Sequence, residues 1–270
     1  EIISADSRQC YREMKIGVAR PSNDQLSQVK HHFIASHSIH DKVNAAVFEN
    51  YALGKATDIF TFRDYMVVVG GTGLYIKAFL EGMDPIPDVP EDIRNDISEQ
   101  YFQYGLNWLQ GEVKKNDPLF YKTGEIQNPQ RLMRALEVVK ATGRSIMDFR
   151  KGEKAKRNFE VQKIALELPK ELLHRNINTR VDQMVEEGLV KEVQSLYKYR
   201  HLTALQTVGY KEILAYLDDK LSLAEAIEQI KVNTRQYAKR QVTWFKKDKE
   251  YQWLPPDENA VIDSLNKERL

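Results

Sequence analysis

The sequence predicts an α/β protein, a parallel sheet core carrying a helical insertion, and three observations lead there. The stretch "EIISA" at residues 1–5 is a short apolar run that ends on Asp6-Ser7. "YMVVVGGTGLYIKAFLEG" sets a second apolar run, Met66 to Val69, against a glycine turn and then a helical repeat. From about Glu91 to Arg150 the patterns are helical, with no convincing strand. At 270 residues the chain is long enough for one large domain or two smaller ones, each with a real core.

Taken in order, residues 1–5 read as a buried strand, which puts Asp6 at the C-terminal edge where open α/β sheets place ligands. The same Asp-Ser pair suits a helix N-cap equally well. Met66 to Val69 reads as a buried parallel strand, Gly70-Gly71 as its turn, and Leu74 to Leu80 as a helix. That turn offers backbone N–H groups to an anion or a base, and Thr72 adds a hydroxyl. It is not a phosphate loop, since Gly-x-x-x-x-Gly-Lys-Ser/Thr occurs nowhere in the chain. The Pro-rich "MDPIPDVPEDIR" reads as a boundary. Within the insertion, Asn128 is the expected N-cap, Pro129 the first helical residue and Gly143 the residue just past the end, with Leu132, Leu136 and Val139 on one face. "VQKIALEL" returns as a strand. From Pro169 a helix carries Leu173, Ile177 and Met184, with Arg180 in the same stripe. A guanidinium there needs an anion, either an internal carboxylate or a phosphate-bearing substrate. The last long helix starts at the capping box Ser-Leu-Ala-Glu from Ser222 and shows Ile227, Ile230, Thr234, Tyr237, Gln241 and Trp244 along one side. The core is expected over 1–85 and 151–270, and the insertion over 86–150.

Composition narrows the class further. The formal net charge is +1, so whole-chain charge says nothing about partners, but residues 81–100 are acidic while 128–163 and 231–249 are basic. Such basic stretches fit a polyanion footprint. Arg131 and Arg134 form one basic pair, and Lys231, Arg235 and Lys239 lie one helical turn apart; such runs are usually solvated faces, but Tyr237, Trp244 and Phe245 are interleaved here, which suits packing and nucleic-acid contact equally. Cys10 is the one cysteine, which excludes a disulfide framework and cysteine-based zinc fingers and fits a reducing compartment. No histidine or carboxylate pattern has metal-ligand spacing, and no apolar run reaches the ~20 residues of a membrane span. The reading is a cytoplasmic protein.

The blocks "SADSRQCYREMKIGVARPS", "VVVGGTGLYIKAFLEG", "NPQRLMRALEV", "LHRNINTRVDQMVEEGLVKEV", "LQTVGYKEI" and "TRQYAKRQVTWFKKD" resemble, in this order, the signature blocks of the bacterial tRNA dimethylallyltransferase family. The resemblance implies a P-loop NTPase-like parallel sheet core with a helical insertion. The implied reaction is transfer of a dimethylallyl group from dimethylallyl diphosphate to N6 of adenosine 37 in tRNA, assisted by Mg²⁺. Asp6 would be the general base and Arg180 the diphosphate ligand. Ser7, Arg8, Gln9, Thr72, Arg94 and the run Gln130, Arg131, Leu132, Met133 and Arg134 fall on tRNA-contact positions. Gln206, Thr207, Val208, Gly209, Tyr210 and Lys211 match the block that holds the flipped nucleotide, Gln206 standing where some relatives carry Arg. The resemblance also implies a first strand and a phosphate loop before Glu1, so the chain as given is expected to lack its main phosphate cradle. A monomer is expected. The alternatives are a tRNA-binding protein without catalysis and an adenylate isopentenyltransferase acting on a free nucleotide.

Overall fold

The computed structural model describes residues 1–267. Strand β1 (Ile2–Ser4) pairs in parallel with β2 (His31–His32) on one side and with β3 (Val67–Val69) on the other, Ile2 facing both His31 and Val67. Its central place explains why Ile3, Ser4 and Ala5 are buried. A charge-assisted contact of 2.6 Å between His32 Nε2 and Glu1 Oε2 ties β2 to the start of β1. Helix α1 (Asn23–Gln28) starts on a capping box at Ser22, and α2 (Ala45–Phe60) starts at Asn44, whose side chain accepts from Val47 N at 3.0 Å.

Strand β3 is parallel, as its apolar run predicts, but not buried: Val67 and Val69 are each 53% exposed. It is an edge strand, and alternate side chains of an edge strand stand on a face that the described residues leave open. Beyond the paired residues the two strands stay joined, Ala5 N donating to Val69 O at 2.7 Å and Thr72 N to Ala5 O at 3.2 Å. Gly70 makes that approach possible, because a Cβ there would lie 2.4 Å from the Ala5 carbonyl carbon. Helix α3 (Gly73–Glu81) follows at once.

Residues Glu81–Lys156 form a compact unit of their own. It holds α4 (Glu91–Asn116), broken at Gly105 with φ 74°, then α5 (Pro118–Thr123) and α6 (Pro129–Thr142). Helix α6 begins and ends where the sequence sets it: Asn128 caps, Pro129 opens the first turn, and Gly143 closes in the left-handed region at φ 70°. Asp117 is 1% exposed and spends both oxygens on backbone, accepting from Phe120 N at 2.9 Å and Ile146 N at 3.3 Å. Around it packs a closed apolar core that includes Ile97, Leu109, Phe120, Leu132 and Leu136.

The chain returns as β4 (Ile164–Leu166), then α7 (Lys170–Glu186), α8 (Leu189–Ser195), α9 (Tyr210–Leu217), α10 (Leu223–Phe245), β5 (Gln252–Leu254) and α11 (Glu258–Lys267). With residues 1–80, the described residues from Arg157 onward make the second unit. The strand expected at "VQKIALEL" is β4, yet it pairs in parallel with β5 and stays out of the three-stranded sheet. Lys163 fixes that pairing through Asp248 at 2.7 Å and Glu250 at 2.6 Å. Ser222 caps α10 with the expected box. Lys231 and Arg235 bind α10 to α7, through Asp182 at 2.8 Å and Asn178 at 2.6 Å, so two cations of the basic run serve packing. The core of this unit joins Ile3, Phe33, Phe48, Tyr75, Ile213 and Ile230, with Phe48 and Tyr75 stacked at 4.7 Å. Among the described residues no helix is long and apolar enough to cross a membrane.

Two consequences can be measured. Gly70→Ala is expected to destabilise the fold by about 1–3 kcal/mol in urea unfolding, since the new methyl would run into the Ala5 backbone at the sheet junction; parental stability would mean the junction is looser than described. Cys10 is buried, and burial pushes its thiol from 9.0 up to about 12. A raised native value favours the neutral thiol, so this contribution is complete below the unfolded value and is lost as pH climbs towards the native one. Between pH 8 and 10.5 the stability of the parent, measured against Cys10→Ala, should fall by about 2 kcal/mol; a constant difference would contradict it.

Candidate active site

Asp6 stands two residues past the end of β1, and the junction at Ala5 and Gly70 sets its turn next to Thr72. Its Oδ1 accepts from Arg8 N at 2.7 Å and Gln9 N at 3.2 Å, so the side chain closes the turn over residues 7–10 and no helix begins there. The cap read from Asp-Ser is a turn cap. Among the described residues Oδ2 has no partner. Ser7 N donates to Thr72 Oγ1 at 3.1 Å, and the Thr72 hydroxyl donates to Ser7 Oγ at 3.3 Å. One fixed carboxylate and two coupled hydroxyls thus share the C-terminal edge of β1 and β3.

Helix α10 roofs this edge. Gln241 Nε2 donates to Gly71 O at 3.0 Å, and a Cβ on Gly73 would lie 2.2 Å from Trp244 Nε1. Tyr237, one turn before Gln241, brings its hydroxyl beside Thr72 and Gln241; the side chain is 41% exposed, and it is crowding of the hydroxyl end away from water, and after it the Asp6 charge, that raises its phenol above the ordinary value. The sequence leaves Tyr237 and Trp244 undecided between packing and nucleic-acid contact. Their signal was the four- and three-residue spacing of Tyr237, Gln241 and Trp244 opposite glycines at 71 and 73.

The other residues expected at the site take different places. Arg8 and Gln9 are tethers: Arg8 Nη1 donates to Thr203 O at 3.3 Å and Ala204 O at 3.4 Å, while Gln9 Nε2 donates to Val18 O at 3.3 Å and Ala19 O at 3.0 Å. The block from Gln206 to Lys211 turns into α9. Gln206 and Lys211 are exposed there, the Thr207 carbonyl accepts from Tyr210 N and Lys211 N, Val208 packs on the core, and Gly209 sits at φ 94° with its N–H on Glu212 Oε2 at 2.8 Å. Tyr210 is 0% exposed and donates its hydroxyl to Glu192 Oε1 at 2.5 Å, so its side chain belongs to the core, whereas its block implies a tRNA contact.

Arg180 also needs correction. The buried residues of α7 are Ile177 and Val181; Arg180 lies at the margin of that stripe and is exposed. It makes no ion pair or hydrogen bond among the described residues, which leaves its guanidinium open to an external anion. In the helical unit, the Leu132 side chain is fully buried in the core, and Met133 packs against the same core. Gln130 and Arg131 are exposed, Arg131 lying 3.2 Å from the exposed Glu125. Arg134 is held by Glu137 at 3.2 Å and Pro87 O at 3.4 Å. Arg94 Nε is buried and stands 4.0 Å from Glu137, too far for a hydrogen bond. Among the described residues no three His, Cys, Asp or Glu side chains gather as a metal site.

A carboxylate with one oxygen anchored and the other free can take a proton from a polar nucleophile, and the neighbouring hydroxyls can orient it. The family described as IPP transferase matches residues 9–248. The chain is 45% identical over 260 residues to a tRNA dimethylallyltransferase of Christiangramia forsetii, covering 96% of this chain and 86% of that protein. It is 42% identical over 270 residues to tRNA dimethylallyltransferase 1 of Bacteroides thetaiotaomicron, covering 100% and 88%. The crystal structure of the full-length tRNA isopentenylpyrophosphate transferase from Bacillus halodurans superimposes with a TM-score of 0.70 at 34% identity, covering 100% of this chain and 86% of that one. With a family match over most of its length and relatives this close, the chain belongs to the IPP transferase family.

Proposed function

We propose that this protein transfers a dimethylallyl group from dimethylallyl diphosphate to N6 of adenosine 37 in tRNA, with Asp6 as the general base. Dimethylallyl transfer to tRNA is the activity named for its relatives. The observation that carries the residue assignment is the anchored Asp6: two backbone N–H groups fix Oδ1, and Oδ2 remains to accept a proton beside Thr72.

The chemistry suits those groups. An exocyclic adenine amine is a weak nucleophile because its lone pair is delocalised into the ring. As the bond from N6 to the allylic carbon forms, the bond from that carbon to the diphosphate oxygen breaks, the diphosphate leaves with the electron pair, and the N6 proton passes to Asp6 Oδ2. Thr72 and Ser7 would orient the amine. Arg180, exposed and unpaired, is the cation we assign to the departing diphosphate. Tyr237, Gln241 and Trp244 line this edge with Tyr237 and Trp244 partly exposed, at 41% and 37%, and substrate packed against them would keep water from a cation-like allylic group.

Mg²⁺ fits the donors present only as a diphosphate-borne ion. The edge offers the Asp6 carboxylate and the Ser7 and Thr72 hydroxyls, hard oxygen donors too few for an all-protein site, and Mg²⁺ commonly uses one or two carboxylates with substrate phosphates. When bound it would neutralise charge on the leaving group. The exposed Gln130, Arg131, Gln206 and Lys211 are the residues we assign to tRNA, and the base must leave its stack at a cost of a few kcal/mol. We place this activity in the cytoplasm and assign it to a monomer; a sequence with a single cysteine fits a reducing compartment.

Asp6→Asn should slow single-turnover transfer to an anticodon stem-loop by a factor on the order of 100 to 10,000 while stem-loop affinity stays put. Rates within threefold of the parent would remove Asp6 from the reaction. Arg131→Ala should flatten the plot of log affinity for tRNA against log salt by roughly 0.7 to 0.9, one phosphate contact; an unchanged slope would leave Arg131 to Glu125 and solvent.

A further inference from the structure

Glu192, on α8, collects four donors from two distant segments. Its Oε2 accepts from Lys15 N at 3.1 Å and Ile16 N at 2.8 Å; its Oε1 accepts from Gly17 N at 3.1 Å and from the Tyr210 hydroxyl at 2.5 Å. The contact is tight enough to demand glycine: a Cβ on Gly17 would lie 2.5 Å from the Tyr210 ring and 2.9 Å from Leu189. Arg20 supplies the nearby positive charge and binds the carbonyls of Tyr11 at 2.7 Å, Arg12 at 3.1 Å and Met14 at 2.5 Å.

Two paths run from this carboxylate, and both end on the same oxygen of Asp6. Along the first, Gly17 leads to the carbonyls of Val18 and Ala19, which hold the Gln9 side chain, and Gln9 N donates to Asp6 Oδ1. Along the second, Tyr210 ends the segment whose Thr203 and Ala204 carbonyls hold the Arg8 side chain, and Arg8 N donates to Asp6 Oδ1. We infer that Glu192 is a positioning residue, which keeps the loop at residues 15–17 and the segment at residues 203–210 in register and thereby orients the Asp6 carboxylate. The consequence for rate rests on the reading of Asp6 as the base; the consequence for geometry does not.

The test uses Tyr210→Phe, which deletes one donor and keeps the ring, beside Glu192→Gln, which keeps the shape and removes the charge. Hydrogen exchange read residue by residue should show faster exchange at Ile16 and Gly17 and also at Arg8 and Gln9, with α6 of the helical unit unchanged as an internal control. Single-turnover transfer, assayed well below the melting temperature of each variant, should fall roughly 10- to 100-fold, with the loss in the rate of the step and not in the affinity for the anticodon stem-loop, as expected for a misaligned group. Faster exchange confined to Ile16 and Gly17, or parental rates alongside faster exchange at Arg8 and Gln9, would overturn the inference. If Asp6→Asn proves fully active, the base assignment fails, and exchange at Arg8 and Gln9 still decides whether Glu192 orients that turn.

Discussion

The pairing of β1 with β3, carried one step past the strands by the Ala5 amide and carbonyl, is the constraint on which the site depends. Parallel pairing aligns the two C-terminal ends, and the extra hydrogen bonds bring the Asp6 turn and the Gly70–Gly73 turn together. Glycine is required at 70 because backbone fills the space a side chain would need. Everything that follows at this edge, from the Ser7–Thr72 hydroxyl pair to the seat of α10, inherits its position from that closure.

Charge is used sparingly inside this fold, and mostly to hold backbone. Asp117, Glu192, Glu212 and Arg20 are buried or half-buried, and each binds main-chain groups that no helix or strand would otherwise satisfy. Such contacts make loops as definite as helices. That matters beside Asp6, where the chain from residue 7 to residue 20 has almost no regular structure and still must keep a carboxylate in place.

Local signals made much of this architecture readable. The limits of α6 follow from Asn128, Pro129 and Gly143, those of α10 from the box at Ser222, and the strand, turn and helix around Gly70 from the switch of apolar period. What could not be read depends on partners far along the chain. The openness of β3 reflects its edge position, and the second sheet needs β5, some ninety residues beyond β4. Tyr210 and Leu132 sit in blocks rich in polar residues, and only packing reveals that they face inward. Arg180 and Val181 differ by one position on a helix, enough to exchange core for solvent. Glu192 looks like any surface glutamate until Gly17, 175 positions earlier, is seen to lie against it.

The closed core of the helical unit has a consequence for synthesis. Its buried residues run from Val89 to Ile146, whereas the other core needs Ile3 at one end and Ile230 at the other. A ribosome that has released residue 156 has therefore made every residue of the helical unit's core, while the other core still awaits the buried residues of α8, α9 and α10. Until those helices emerge, the residues of that core already made, Ile3 and Phe48 among them, lack part of their apolar cover, and it is there that a chaperone would find its grip.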